Sequence, residues 1–450
     1  MIKGIKYKAK PTPGQAEKLS QWIGCSRVVW NAKCDEDRYL RTYARKYLPI
    51  GTFPGIDQKT AHFKGEGTEF LKDCPSQILR NSARIWYLTY QNFFKKLCGR
   101  PARKTRAKGN YIQITRELFS ISKVDGKWVL FIGSKTNNIG YLDLKWHKKP
   151  MSERLPASIW IRVKNGQWTV SFNYDDSFAN DAPTNTQKEH FAWLRECTEE
   201  ELSSKIVSID RGIARPAQTI DDTYKPTESA FKKQHGRDRY IRRQQRILAR
   251  QEKGSNRSKK TKKAIAKAHQ RTAFSREDFL HKTSKAIVDS GSVIVMEDLK
   301  LKNMTKRAKP KKDEQSGKFI KNNAKAKSGL NKALLGVGLG NLEIFIKYKA
   351  KAQNKPVFKV NPYNTSNECA ACGHTHPDNR CSQAVFQCKS CGVIDNADRQ
   401  AAKVIKKRAI EAILNSGTEL VGPGSYILKV PSGVCSKGKC VDAGTSVESR

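Results

Sequence analysis

The sequence predicts a multidomain chain, α+β in its first half and α/β in its second. Between residues 111 and 176 the apolar pattern has period two, with Asp125-Gly126 and Asn165-Gly166 as two-residue hairpin turns. Beyond residue 200, apolar runs that end in acids, at Asp210 and at Glu297-Asp298, are separated by long helical patterns, the rhythm of a sheet with crossover helices. Near the end, Cys369-x-x-Cys372 and Cys388-x-x-Cys391 are thiolate pairs with fifteen residues between them, a spacing that closes a tetrahedral Zn²⁺ site of four sulfurs.

At 450 residues the chain has room for two or three domains, and 38% hydrophobic content implies broad polar surfaces around a modest core. The formal charge is +44, from 86 Lys and Arg against 42 Asp and Glu, so the chain repels itself until a polyanion neutralises it. Nucleic acid is the expected partner. No run of about 18 apolar residues suggests a membrane span. The first residues, MIKGIKYKAKPTPGQ, hold no apolar signal core, so the chain is expected to be intracellular, with its 12 cysteines reduced or bound to metal.

Residues 1–10 alternate as a strand. Thr12-Pro13-Gly14-Gln15 is a capping box with proline at the first helical position, and Leu19, Trp22, Ile23, Val29 and Trp30 stripe the helix that follows. A second helix after Pro75 carries Leu79, Ala83, Trp86, Tyr90, Phe93 and Leu97 on one face. These helices, within 11–110, read as an insertion into a β-domain of 1–10 and 111–176, an antiparallel sheet or small barrel. The basic loop after the second helix (Arg100, Arg103, Lys104, Arg106) is expected to touch phosphates.

Residues 177–200 read as a polar linker, and 201–414 as the α/β domain. Within it, 225–290 hold two basic helices split at Gly254-Ser255-Asn256; Arg242, Arg243, Arg246, Lys259 and Lys260 are candidate phosphate contacts, while Ile241, Leu248 and Ile265 show that the helices also pack. Residues 303–332 are Lys-rich and expected to order only on a partner, and 415–450 have the composition of a disordered tail. Residues 366–394 form the cysteine ribbon.

The chemistry rests on three acids. Asp210 and Glu297 end apolar strands, and Asp395 or Asp398 starts a helix after the ribbon. Three carboxylates gathered at about 4 Å repel by roughly 4 kcal/mol per pair at an effective dielectric of 20, which calls for a counterion. An all-oxygen ligand set implies Mg²⁺ or Mn²⁺, and two such ions suit phosphodiester hydrolysis. Asp298 points to the opposite face. The ribbon pattern alone leaves open a stabilising knuckle followed by a solvated carboxylate.

SIDRGIARPAQT around Asp210, GSNRSKKTKKAIAKAHQRTAFSREDFLHK in the basic helices, VIVMEDLKLKNM around Glu297, and CAACG, CKSCG and NADRQAA around the ribbon resemble the TnpB (OrfB) family of transposon-associated proteins and the related miniature type V CRISPR effectors. The resemblance implies an RNA-guided DNA endonuclease: an N-terminal WED-like β-barrel with inserted recognition helices, and a C-terminal RNase H-like RuvC domain holding a zinc ribbon. It implies catalytic acids Asp210, Glu297 and Asp398 on Mg²⁺ or Mn²⁺, one structural Zn²⁺, an active-site arginine at Arg380, and guide RNA and target double-stranded DNA as partners. It also implies a cytoplasmic, nucleoid-associated location in a bacterium or archaeon. The family's Asn-Ala-Ala after the third acid is here Gln400-Ala401-Ala402. A nuclease-dead DNA-binding repressor and an RNA-independent RuvC-like resolvase or transposase are the alternatives, the first disfavoured because all three acids are present.

Overall fold

The computed structural model describes residues 2–47, 58–106, 109–147, 156–175, 185–422 and 426–430. The chain divides into two compact units, 1–182 and 183–450.

In the first unit, β1 (Ile2–Ala9) leads to α1 (Pro13–Tyr39), which opens on the expected capping box: the Gln15 amide donates to Thr12 Oγ1 at 3.3 Å and the Thr12 amide to Gln15 Oε1 at 3.0 Å. A π turn at Leu40–Ala44 carries α1 into the short α2 (Arg45–Tyr47). The next long helix, α3 (Ser76–Phe94), stops earlier than its apolar pattern suggests. Lys96 takes φ +56°, and Leu97, expected on the buried face, is 73% exposed. Seven strands follow: β2 (Tyr111–Thr115), β3 (Phe119–Val124), β4 (Lys127–Gly133), β5 (Asn138–Leu142), β6 (Leu144–Lys145), β7 (Ser158–Lys164) and β8 (Gln167–Asp175). Asp125-Gly126 and Asn165-Gly166 all have positive φ, as two-residue hairpins require.

The strands form two antiparallel sheets, β2-β7-β8-β1-β6 and β3-β4-β5, and among the described residues their pairing does not close a ring. A 3₁₀ turn at Arg116–Leu118 breaks β2 from β3. Both sheets and helices α1 and α3 share one core, built by Leu19, Trp22, Ile78, Ile112, Leu130, Ile159 and Phe172. Because β1 pairs with β8 from Ile2↔Asp175 to Ala9↔Trp168, the helices leave and rejoin one sheet.

The second unit opens with α4 (Gln187–Arg195) and α5 (Glu199–Lys205), each begun by a capping box, Thr186/Glu189 and Thr198/Glu201. The expected linker is therefore helical from 187 on; its residues 177–184 lie outside the described ones. Polar composition masks the narrow apolar stripe of Phe191 and Leu194. Then come β9 (Ile206–Ile209), β10 (Ala217–Gln218), β11 (Thr223–Tyr224), α6 (Glu228–Ala249), α7 (Asn256–Asp289) and β12 (Val293–Glu297). After these, α8 (Leu301–Met304), the hairpin β13 (Lys311–Lys312) with β14 (Phe319–Ile320), α9 (Ala324–Val337) and α10 (Leu339–Ala352) replace the expected partner-dependent segment with formed structure. The unit ends with β15 (Val357–Val360), β16 (Val385–Gln387), β17 (Ile394–Asn396), α11 (Ala397–Leu414), β18 (Glu419–Val421) and β19 (Tyr426–Lys429).

The main sheet runs β18-β19-β15-β12-β9, with β9, β12, β15 and β19 parallel. Two strands of it come from the stretch expected to be a disordered tail. Glu419–Val421 and Tyr426–Lys429 are short and half-polar, so composition hides them, but Leu428 is buried in the core. Residues beyond 430 lie outside the described ones. Side chains alternate across the sheet: Ile206, Val293, Val295, Phe358 and Val360 pack under α4, α5 and α11, whereas Ile209, Ile294, Met296 and Val357 pack under α7 and α10.

Candidate active site and metal centre

That alternation decides where the acids go. Asp210 extends the register of Ile206 beyond β9, and Glu297 that of Val293 and Val295, so both carboxylates fall on the α11 side of the sheet. Asp398 lies in the first turn of α11, where Asn396 Oδ1 caps the helix by accepting the amides of Asp398 (3.1 Å) and Arg399 (3.3 Å). The three acids come from three elements and share one field. Burial, then the charges of Glu297 and Asp398, push the Asp210 carboxyl up to about 7. Among the described residues no Lys or Arg lies within ion-pair distance of Asp210. Glu297 is also raised, by burial, although Thr365 Oγ1 donates to Oε1 and Arg211 lies close. Asp398 is held differently: Arg380 Nη2 reaches Oδ1 at 3.2 Å and Arg215 Nη1 reaches Oδ2 at 3.4 Å.

The other two acids near these positions are paired more closely with cations than Asp398 is. Asp395 belongs to β17 and precedes the helix; burial would raise it, but Arg399 Nε (2.7 Å) and Lys403 Nζ (2.8 Å) bind its oxygens and hold it low. Asp298, on the α10 face, accepts from Lys359 Nζ at 3.1 Å and pairs with Lys300. Lys359 also binds Glu343 at 2.7 Å, and Glu343 binds Arg211 at 2.8 Å, whose Nη2 donates to the Glu297 carbonyl. Arg211, Lys359, Glu343, Thr365 and Arg215 are absent from the sequence-based site. Their partners are far apart in the chain, 132 positions for Arg211 and Glu343, and no local pattern marks them.

The ribbon fits a metal by its donor set. Among the described residues only Cys369, Cys372, Cys388 and Cys391 form a group of three or more Cys, His, Asp or Glu side chains with ligand atoms all within 4.8 Å of one another, so Asp210, Glu297 and Asp398 are not drawn together as closely as expected; the Sγ–Sγ distances are 3.6 Å for Cys369–Cys391 and Cys372–Cys388. Tetrahedral zinc at about 2.3 Å from each sulfur needs sulfurs about 3.8 Å apart. At Cys388 burial raises the thiol, but the amides of Cys391 and Ser390 both point at Sγ and bring it down to about 6. β16 and β17 form the hairpin behind this knuckle, with Phe386 and Ala397 in its small core. β17 runs straight into α11, so the cysteine knuckle leads directly into the turn that carries Asp398. Gln400, which stands where the resembled motif has Asn, is 2% exposed and its Nε2 finds no partner among the described residues.

The basic candidates divide. In the first unit Arg100 Nη1 pairs with both Asp37 oxygens at 3.1 Å, Arg103 pairs with Asp35, and Lys104 Nζ sits 3.2 Å above the Trp30 ring. Burial lowers Lys104 to about 8. These three fasten the loop to α1, where the Trp30 indole and Asn31 amide also donate to the Ala102 and Lys104 carbonyls. On α6 and α7, by contrast, Arg242, Arg243, Arg246, Lys259 and Lys260 are all exposed. The helices pack through Ile241 and Ala268 and leave a groove of about 830 Å³ lined by Lys233, Arg237, Tyr240, Lys267 and Arg271.

Three family models match: residues 182–308 fit one described as a probable transposase (OrfB_IS605), 340–405 a Cas12f1-like TNB domain, and 1–34 a helix-turn-helix domain, although that last stretch is here β1 and the start of α1. The chain belongs to the TnpB family. Among TnpB relatives, the "Putative RNA-guided DNA endonuclease InsQ" of Escherichia coli (strain K12) is 29% identical over 96% of this chain and 98% of its own. The Cas12f1 CRISPR-associated endodeoxyribonuclease of Sulfoacidibacillus thermotolerans is 39% identical over 16% of this chain and 18% of its own. A solved structure of CasPhi-2 (Cas12j) bound to crRNA covers 92% of this TnpB-family chain and 98% of its own at 11% identity and TM-score 0.43. The Cas12f1–sgRNA–target DNA complex covers 91% and 100% at 16% and TM-score 0.32. No described helix is long and apolar enough to cross a membrane.

Proposed function

We propose that this chain is a metal-dependent, RNA-guided DNA endonuclease whose second unit is a RuvC-like nuclease domain and whose first unit is the WED-like and recognition part. The observation that carries the reading is Asp210: a carboxylate raised by burial and by the charges of Glu297 and Asp398, the three acids coming from three different elements, with no cation among the described residues paired to it. A fold holds such a group against its own stability when something else is to bind there. Asp210, Glu297 and Asp398 would hold Mg²⁺ or Mn²⁺, and ions so bound supply activation of a water and stabilisation of the leaving oxygen.

The chain's own residues do the rest. Thr365 fixes Glu297 by its hydrogen bond, the Asn396 cap fixes the start of α11, and Arg380 stands beside the acids with charge for a phosphate oxygen. Asp298 and Asp395, neutralised by lysine and arginine, take no part as ligands. The zinc knuckle acts only by position. Guide pairing would read sequence, and the exposed cations of α6 and α7 would bind RNA backbone.

The test is cleavage of a plasmid matched to the RNA that co-purifies with the protein, in Mg²⁺. Cutting that follows the RNA sequence supports the proposal. Purified protein free of RNA, or cutting indifferent to RNA, would leave a resolvase. Charge reversal at Arg242, Arg243 and Arg246 should lower the salt slope of RNA retention by about 0.7 for each single-strand phosphate that is no longer neutralised, and an unchanged slope would remove α6 from the interface.

A further inference from the structure

The two oxygens of Asp398 are not equally held. Arg380 Nη2 binds Oδ1 at 3.2 Å and the Gln383 carbonyl at 3.1 Å, so its guanidinium is anchored within its own loop. Arg215 comes from the opposite side, from the loop that leaves Asp210, where the Gly212 amide donates to the Arg215 carbonyl at 3.0 Å. A Cβ at Gly212 would stand 3.2 Å from that carbonyl oxygen, so the loop turns tightly and projects Arg215 toward α11. Its Nη1 lies 3.4 Å from Asp398 Oδ2 and also donates to Asn396 Oδ1. Arg215 therefore has two acceptors, one charged and one neutral. It can give up the charged one and stay in place.

Among the described residues, Asp398 is the one of the three acids whose carboxylate oxygens are paired with guanidinium, although the charges of Arg211 and Arg408 also bear on Glu297 and that of Arg380 on Asp210. The ion pair at 3.4 Å is the longer of the two there. The Arg215 and Asp398 side chains are 28% and 18% exposed, open enough for exchange with an incoming ligand.

We propose that Arg215 is the resident counter-cation of Asp398: it holds Oδ2 while no divalent ion is bound, and is handed over to a phosphate oxygen of the nucleic-acid strand when Asp398 turns to the ion. This rests on the nuclease reading above. Arg215 is a positioning residue in the first state and touches substrate in the second. Removing it has opposite consequences for the two ligands, which no purely structural role produces: the ion loses a competitor and binds more tightly, while the strand is held less well. A residue that merely secured the Asn396 cap would, on removal, loosen α11 and weaken ion binding.

The experiment measures Mn²⁺ binding by electron paramagnetic resonance on the full-length, zinc-loaded protein without nucleic acid, and single-turnover cleavage at saturating Mn²⁺ with the co-purified RNA. Arg215→Gln should tighten Asp398-dependent Mn²⁺ binding about fivefold, a modest part of what one nearby positive charge costs at an effective dielectric of 20, and slow cleavage at least tenfold. Arg215→Lys should return both toward wild type. Unchanged or weaker Mn²⁺ binding in Arg215→Gln overturns the counter-cation role, and tighter binding with unchanged cleavage overturns the hand-over. If wild type itself shows no Mn²⁺ binding that Asp398→Asn removes, it is the nuclease reading that fails. A circular dichroism melt within a few degrees of wild type separates these outcomes from misfolding, and if Arg215→Gln fails that check Arg215→Met, with the same expected tightening of Mn²⁺ and loss of cleavage, decides by the same two readouts.

Discussion

At the ends of the same parallel strands, the second unit presents acids on both faces of its sheet, and the two faces treat them in opposite ways. On the α10 face, Asp298 and Glu343 are laced to Lys300, Lys359, Lys347 and Arg211 at hydrogen-bond distance, and Glu343 is held down to about 2, because these cations outweigh the burial that would raise it. On the α11 face Asp210 is driven up to about 7 by burial and by its acidic neighbours. One backbone supplies both, since Glu297 and Asp298 are adjacent. The same fold neutralises a buried carboxylate on one side and leaves Asp210, eased only by the charge of Arg380 and the amide of Arg211, without an ion-pair partner among the described residues on the other, and the proposed function takes that side as the ligand side.

The largest expected effects test that contrast in activity. Asp210→Ala, Glu297→Ala or Asp398→Ala should each lower plasmid cleavage by about 10³-fold or more while RNA-directed DNA binding by gel shift stays near wild type. Asp298→Asn, one residue from Glu297, should stay within about tenfold. Losses of equal size in Asp298→Asn and in the three alanine variants would erase the distinction between the faces.

Zinc removal comes next, and it tests whether the α11 face depends on the knuckle. Cys372→Ser should drop the zinc content measured by elemental analysis from one per chain toward zero, and with it cleavage, because β17 no longer sets the start of α11. Full cleavage by a zinc-free variant would uncouple the ribbon from Asp398.

Sequence alone discloses the bare face better than the neutralised one. Asp210 and Glu297 are legible because an apolar run that stops at an acid is a local pattern, and the cysteine pairs because metal geometry fixes their spacing. Choosing Asp398 over Asp395 takes the family resemblance, for both precede the same apolar stripe; in the structure Asp398 follows the Asn396 cap and pairs with Arg380 and Arg215, whereas Asp395 pairs with Arg399 and Lys403. The network of Glu343, Lys359 and Arg211 joins an α-helix, a strand and a loop, and Arg215 meets Asn396 across 181 positions. Such contacts exist only once the topology does. The strands at 419–429 are hidden for a related reason: two short segments next to a parallel edge need little intrinsic propensity, because the sheet supplies the partner.

A smaller pair of effects concerns stability, and here the two faces should differ in sign. Glu343→Gln strands Lys359 and Arg211, whose side chains are 11% and 0% exposed, and should cost about 3 kcal/mol. Asp210→Asn removes a buried like charge and should stabilise by about 1 kcal/mol, or about 2–4 °C in a melt without added divalent ions. Two destabilising results would mean that Asp210 is held by the fold like any structural acid.

The finest distinction is in pH. Glu343 has its folded value depressed from about 4.5 to about 2, so its contribution to stability is present above the ordinary value and is lost as pH falls through the folded one. Asp210 has its folded value raised from 3.8 to about 7, so its contribution is complete below 3.8 and is lost as pH rises through about 7. Metal-free wild type should therefore lose stability from both directions, on the acid side through the α10 face and between about pH 4 and 8 through the α11 face. Zinc held by the four cysteines would add its own acid loss, so the quantity to follow is the urea midpoint of each variant minus that of wild type at the same pH. For Asp210→Asn the difference should grow in the variant's favour from pH 5 to pH 8 and level off above. Added Mg²⁺ should cancel that growth, since an ion bound among the acids stabilises ionised Asp210 in the wild type alone. A difference that stays flat from pH 5 to pH 8 would show that Asp210 is ionised at its ordinary value, and the contrast between the faces would then rest on geometry without electrostatics.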